Sequence, residues 1–261
     1  MKASCLAIAG MISVGVASWA APAWAAPIFL AHYDGNTGNS GLDADYAAGS
    51  ATATSTGGVI SSTAKFGAGS LDGTPANEVT YSSTGNFNVS SGTIEMFFRT
   101  ANWGDGAYRA LFGMKSGSPD IRVQKLPDGR LQAYQYDGTN VWSVTSGTVA
   151  PTDNAWHHFA WEWDATSNTS TMYVDGAIVA NTLSGSVNSY SGAVPSVFAI
   201  GTMQNSDAQT FNGLIDEVRI SNNAVYGGTA FTPPTQAFAV PEPSSLVLLA
   251  LGALGLRRRS R

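Results

Sequence analysis

The chain has 261 residues, with 13 Lys+Arg against 18 Asp+Glu and a formal net charge of -5. Only 12% of the residues are charged, 29 are glycine and one is cysteine. That profile disfavours helical bundles and coiled coils, excludes a disulfide framework or a cysteine-based zinc site, and leaves no basic stripe for nucleic acid.

Residues 1–25 read as a secretory signal peptide. Lys2 is the basic start, Leu6 to Val16 is a short apolar run, and Ala23-Trp24-Ala25 fits a small-x-small cleavage site. The alternative, a buried N-terminal helix, is opposed by Pro22 and Pro27. Cys5 lies in this leader, so the exported chain carries no cysteine.

The middle of the chain repeatedly alternates with a period of two. Ile94, Met96 and Phe98 share one face of a predicted strand. Ile121 to Lys125 and Leu131 to Tyr136 are strands separated by Pro127-Asp128-Gly129-Arg130, and Asp137-Gly138 turns the chain before Val141 to Thr145. His158 to Asp164 places Phe159, Trp161 and Trp163 on one side. Thr171 to Val174 follows, and Asp175-Gly176 signals a type I′ hairpin into Ala177 to Asn181. Phe198 to Gly201 and Leu214 to Ile220 complete the set. Short strands with Gly, Asp and Asn punctuation predict an all-β sandwich or jelly roll. Stretches 47–63 and 182–193 are predicted exposed loops, and 229–239, with Pro233-Pro234, a linker.

At the C-terminus Val240-Pro241-Glu242-Pro243-Ser244 precedes an apolar run, Leu246 to Leu256, then Arg257, Arg258, Arg259 and Arg261. Eleven residues at ~1.5 Å each cover roughly 16 Å, about half a ~30 Å hydrocarbon core. The physics alone supports transient membrane contact rather than a permanent span. The order of motif, apolar run and basic end, 240–261, resembles the PEP-CTERM sorting signal of Gram-negative bacteria. The resemblance implies recognition by an exosortase-type membrane protease at Pro241, Glu242 and Pro243, and export to the cell surface or beyond. Without the two ends, 26–239 holds 8 Lys+Arg against 17 Asp+Glu, a net charge of -9, suited to divalent cations or neutral glycans.

Four segments of this core resemble a laminin-G-like domain of the concanavalin A-like superfamily. They are Ala31-His32-Tyr33-Asp34-Gly35 with Lys65-Phe66-Gly67 and Ser70-Leu71-Asp72-Gly73; Gly92 to Phe98; Trp156-His157-His158-Phe159-Ala160 running into Tyr173 to Gly176; and Phe211 to Ser221. The resemblance implies an all-β, two-sheet antiparallel jelly-roll sandwich over 26–228 with N- and C-terminal strands side by side, binding of glycans or proteins, frequent use of calcium and, in most members, no catalysis.

Catalytic signatures are incomplete. Glycoside hydrolysis needs two carboxylates flanking the scissile bond. Glu162-Trp163-Asp164 begins the Glu-x-Asp-x-x-Glu pattern of related hydrolases, but Ser167 stands where the second Glu belongs. Asp216 and Glu217 are strand neighbours and are expected on opposite faces, as are His157 and His158. The chain is therefore expected to be non-catalytic.

Calcium wants six to eight oxygens, and in the implied topology Asp34 and Asp216 sit close enough for one ion to bridge them. The alternative leaves Asp34 in a turn and Asp216 bonded to loop amides. For glycans, Trp103, Trp142 and Tyr136, with Tyr134 beside them, are expected to form a shallow stacking face; ordinary burial of these rings is the competing reading. The expected protein is an exported, non-catalytic surface or matrix protein. It would bind exopolysaccharide or a cell-surface protein. A structural matrix protein without a specific ligand, or a glycan-cleaving enzyme, are the alternatives.

Overall fold

The computed structural model describes residues 26–55, 57–73, 78–115, 119–149, 151, 153–187, 193–203 and 209–241. The expected signal peptide, Glu242, Pro243 and the apolar tail lie outside them. Alternating sequence patterns become strands in chain order. They are β1 (Pro27–Ala31), β2 (Tyr46–Ala47), β3 (Thr54–Ser55), β4 (Val59–Ser61), β5 (Ser70–Asp72), β6 (Val79–Ser82), β7 (Ser91–Arg99), β8 (Arg109–Lys115) and β9 (Asp120–Lys125). There follow β10 (Arg130–Tyr136), β11 (Val141–Thr148), β12 (Trp156–Asp164), β13 (Thr169–Val174), β14 (Ala177–Ala180), β15 (Leu183–Ser184), β16 (Val197–Ile200) and β17 (Leu214–Ser221).

Two antiparallel sheets form a sandwich. The first runs β14-β13-β12-β7-β17-β1-β2, with β5 pairing β17 and β4; the second runs β15-β11-β10-β9-β8-β16-β6-β3. The two ends of the fold meet as expected, because β1 pairs with β17 through Leu30↔Arg219 and Ala31↔Val218. Alternation supplies the core. Ile94, Met96, Phe98, Phe159, Trp161 and Trp163 from the first sheet face Phe112, Val123, Leu131, Trp142 and Phe198 from the second, all at most 1% exposed. Asp175 and Gly176 both hold positive φ, 50° and 77°, which the tight β13–β14 hairpin requires.

The first sheet is buried on both faces, although two-layer alternation predicts one wet face. Glu95, His158, Glu162, Asp216 and Arg219 point away from the core and are at most 4% exposed. The loop 65–69 covers Asp216, and the chain after β17 covers the other four. Residues 223–238, expected as a free linker from 229, instead lie as a strap on the outer face. The reason is chemical: the sheet offers buried carboxylates, and the strap brings unpaired backbone N–H groups and aromatic rings that need partners. Tyr226 N and Gly228 N donate to Glu162 at 2.8 and 2.6 Å, and Tyr226 Oη donates to Glu95 at 2.6 Å. Phe231 stacks on Tyr226 with centroids 3.5 Å apart and meets His158 edge-on at 5.6 Å. A Cβ on Gly176 would run into the Phe231 carbonyl, so the hairpin glycine also makes room for the strap. Of the predicted exposed loops, 47–63 contributes short edge strands, and 182–193 contributes β15.

Candidate functional site

The expected aromatic platform is not assembled. Trp103 is 2% exposed, stacks on Phe98 at 5.4 Å, and donates its indole N–H to Gly129 O at 3.0 Å. Trp142 is 1% exposed and packs against Trp161 at 5.9 Å. Strand alternation decides the second: Trp142 and Val144 take the inward positions of β11. Trp103 plugs the end of the sandwich, where burying an indole is worth more than exposing it. Tyr134 and Tyr136 stay partly exposed, the Tyr136 hydroxyl donating to Gly138 O at 2.8 Å. On the same outer face Arg122 lies over the Tyr134 ring at 4.8 Å.

A polar cleft lies elsewhere, at the end of the first sheet, with a volume of about 310 Å³. Its floor follows one register row: Asp72 pairs with Leu214, and Leu214 with Arg99. Asn102, Asn154 and Asn212, from three separate turns, form the rim together with Thr63 and Thr100. Arg99 is held by its Nε, which donates to Asn154 O at 2.8 Å and to Asn154 Oδ1 at 3.2 Å. Thr100 Oγ1 donates to Asn212 O at 2.6 Å, tying two rims together. Cation, carboxylate and amides around one concavity offer donors and acceptors to a ligand rich in hydroxyls. The three asparagines are 52 and 58 residues apart in sequence, so no local pattern announces the cleft.

Asp34 and Asp216 do converge, on the loop 65–69. Asp34 Oδ1 accepts the amides of Ala68 and Gly69 at 2.5 and 3.1 Å. Asp216 Oδ2 accepts those of Lys65 and Phe66 at 2.7 and 3.2 Å. Burial pushes the Asp216 carboxyl up to about 6 against those amides, and the Asp34 charge adds to the rise. Asp216 Oδ1 is buried without a partner among the described residues. Four backbone N–H groups of the loop thus serve the two carboxylates at the place expected for a bridging calcium, and among the described residues no group of three or more His, Cys, Asp or Glu could hold a metal ion.

Asp216 and Glu217 depart from simple alternation. Phe97 pairs with Asp216 and Glu95 with Arg219, so two residues of β17 oppose one of β7. Glu217 sits in this bulge with φ 55°. Both acids end up at most 1% exposed. Burial lifts Glu217 to about 7, opposed by the nearby His32 charge. Burial works against charge on His32 too, but its hydrogen bond to Asp45 and the charge of Glu217 carry it to about 9.

Glu162, singled out by the sequence, and Glu95 are committed to structure. Glu162 accepts from Tyr173 Oη, Tyr226 N and Gly228 N. Glu95 accepts from Arg219 Nε at 2.7 Å and Tyr226 Oη, with His158 Nε2 at 3.3 Å. Burial raises the Glu95 carboxyl, but the Arg219 charge, the hydrogen bond and charge of His158 and the Tyr226 hydrogen bond together outweigh it and leave the group below its ordinary range. His157 lies between Asp175 at 2.7 Å and Asp153 at 2.9 Å. Each imidazole thus serves packing or ion pairing.

Comparison with known proteins places this geometry. A family model described as the concanavalin A-like lectin/glucanases superfamily matches residues 72–227, and one for the PEP-CTERM protein-sorting motif matches 239–261. Domain 4 of AbnA, a GH43 extracellular arabinanase from Geobacillus stearothermophilus solved with arabinotriose, aligns at TM-score 0.53 and 16% identity, over 77% of this chain and 94% of that one. The receptor binding domain of botulinum neurotoxin C/D mosaic serotype aligns at TM-score 0.57 and 7% identity, over 76% and 48%. Mouse laminin alpha1 domains LG4-5 align at 0.40 and 18%, over 58% and 41%. No curated protein matches the chain. Two packed antiparallel sheets, adjoining terminal strands and a family match across most of the sandwich lead to one conclusion: the chain belongs to the concanavalin A-like lectin/glucanases superfamily and carries a PEP-CTERM sorting motif at its C-terminus.

Proposed function

We propose that this is an exported surface or matrix protein of a Gram-negative bacterium that holds exopolysaccharide without cleaving it. Its tail is processed by an exosortase-type membrane protease after transient membrane contact. The observation that carries the binding reading is the Arg99 cleft, in which a positioned guanidinium, Asp72 and three asparagines surround about 310 Å³. Sugar hydroxyls are matched by such alternating donors and acceptors. The absence of catalysis is supported by the use made of Glu95 and Glu162. A glycosidase needs two carboxylates roughly 5–10 Å apart around a bond open to substrate, and here both lie beneath the strap and accept its hydrogen bonds. The amides of loop 65–69 stand in for calcium beside Asp34 and Asp216.

Affinity electrophoresis in the host's own polysaccharide tests the cleft. Retardation is expected for the native chain and its loss for Arg99→Ala and Asn154→Ala; retardation unchanged in both variants overturns the site. A cell-surface protein as ligand is the second reading, favoured by the partly exposed Tyr134, Tyr136 and Arg122 on the second sheet. Loss of binding in Tyr136→Ala, with Arg99→Ala unaffected, would select it.

A further inference from the structure

The strap ends in a clasp that glycan binding leaves unused. Phe238 is 7% exposed, and its ring lies 4.0 Å from the Arg219 guanidinium. Its N–H donates to Glu217 Oε2 at 2.8 Å, and its carbonyl lies 2.8 Å from His32 Nε2. The other ring nitrogen of His32 is 3.1 Å from Asp45 Oδ2. Side chains from β17 and from both ends of the β1–β2 connection therefore close on one residue. Immediately beyond it, Ala239 and Val240 are exposed, and the sorting motif begins at residue 239.

A protease takes its substrate as an extended segment, using main-chain hydrogen bonds on both sides of the bond it cuts. Pro241 and Pro243 have no N–H to give. The chain just before them must supply those bonds, and both main-chain groups of Phe238 are already taken. Two free residues between the clasp and Pro241 reach only about 7 Å when extended.

We propose that the clasp on Phe238 gates proteolytic removal of the sorting segment, so that a protease reading the chain around 239–243 acts only when Phe238 leaves its seat. This rests on the reading of the tail as a cleaved sorting signal. Where opening and closing are fast relative to cutting, the cutting rate follows the fraction of open clasp. Processing is then coupled to the folded state of the domain: a docked strap slows it and a loosened one speeds it.

The test compares the purified full chain with Phe238→Ala, His32→Gln and a variant carrying six Gly/Ser residues inserted between Phe238 and Ala239. Elastase, which cuts after small residues, serves as the soluble probe, and the mass of the released peptide scores cutting at the Ala239–Val240 bond separately from cuts inside the Gly/Ser insert. The native chain is expected to resist, with Phe238→Ala and the insertion cut at least about tenfold faster. The insertion leaves the clasp intact, so it decides the matter even if a substitution fails to fold. Equal elastase rates for the native chain and the insertion overturn the gate. In the host, tail removal is read by the mobility shift of the same variants. Faster removal from the insertion supports the gate; removal at equal rates overturns the gate alone; a tail retained in every variant overturns the cleaved-signal reading and the gate with it.

Discussion

Glu162 Oε2 accepts the backbone N–H of Tyr226 at 2.8 Å across 64 residues of sequence, and this bond marks where the strap begins to ride on the sheet. The same carboxylate also accepts from Gly228 N and Tyr173 Oη, both at 2.6 Å. Replacing it with Ala strands one buried and two part-buried donors, a buried one costing about 1–3 kcal/mol when unpaired and the others less. Glu162→Ala is therefore expected to lose about 3 kcal/mol or more in chemical denaturation. Amide exchange at Tyr226 and Gly228 should rise before that of the β7 core; exchange that stays slow at both would refute the anchoring role.

Gly176 carries φ 77° and lies under the Phe231 carbonyl, which also accepts no Cβ at that spot. Its own carbonyl takes the Phe231 N–H at 3.0 Å. Gly176→Ala combines backbone strain of about 1–3 kcal/mol with a steric block. The expected result is a lowered melting temperature together with accelerated exchange at Phe231. A hairpin that merely softens, leaving Phe231 protected, would separate turn from strap.

The pH dependence has a definite sign. Asp216 and Glu217 have carboxyls raised by burial to about 6 and about 7, so the stability they lend in protonated form is full at acid pH and declines as pH climbs through those values. His32, raised to about 9 despite its burial, contributes while protonated and loses that contribution between its ordinary range and about pH 9. Glu95 and Asp45, held low by Arg219 and by His32, act oppositely and withdraw support in strong acid. Melting temperature should peak in mild acid and fall toward pH 9. His32→Gln should flatten the fall on the alkaline side; a slope unchanged by that substitution counts against the clasp.

Trp103 and Trp142 should behave as core residues. Trp142→Ala and Trp103→Ala are each expected to cost about 3–5 kcal/mol, while Tyr136→Ala stays close to native stability. Urea titrations of the three variants check this. A Trp142→Ala chain as stable as the native one would return that ring to the surface.

Calcium offers a second check on the corner that holds Asp34 and Asp216. Because loop amides already serve Asp34 Oδ1 and Asp216 Oδ2, adding calcium or EDTA should leave the melting temperature unchanged. A rise with calcium that Asp216→Asn abolishes would show an ion using the buried Asp216 Oδ1.

Much of the architecture was readable one strand at a time. Ile94-Glu95-Met96-Phe97-Phe98 states its inward set by period-two spacing, and Asp175-Gly176 states its hairpin because both positions need positive φ. Local chemistry also marked the sorting motif, whose order of residues is its own signal. The second layer on the first sheet was not readable. Glu95, Glu162 and Arg219 occupy positions that alternation assigns to solvent, and only the returning strap buries them. Nor does alternation foresee a bulge: Glu217 at φ 55° shifts the register so that Asp216 and Arg219 both stay on the outer face.

The amino-acid order by itself determined which residues face the sandwich interior, where the hairpins fall, and that a sorting signal follows the domain. These depend on neighbours within a few residues, whose sterics and polarity act directly on the backbone. Tertiary structure alone decided that Trp103 plugs the end of the sandwich, that three distant asparagines and Arg99 rim one cleft, and that Phe238 is clasped by His32 and Glu217. Each of these joins groups separated by tens to hundreds of residues, and their meeting depends on sheet order and register, which no single stretch of chain encodes.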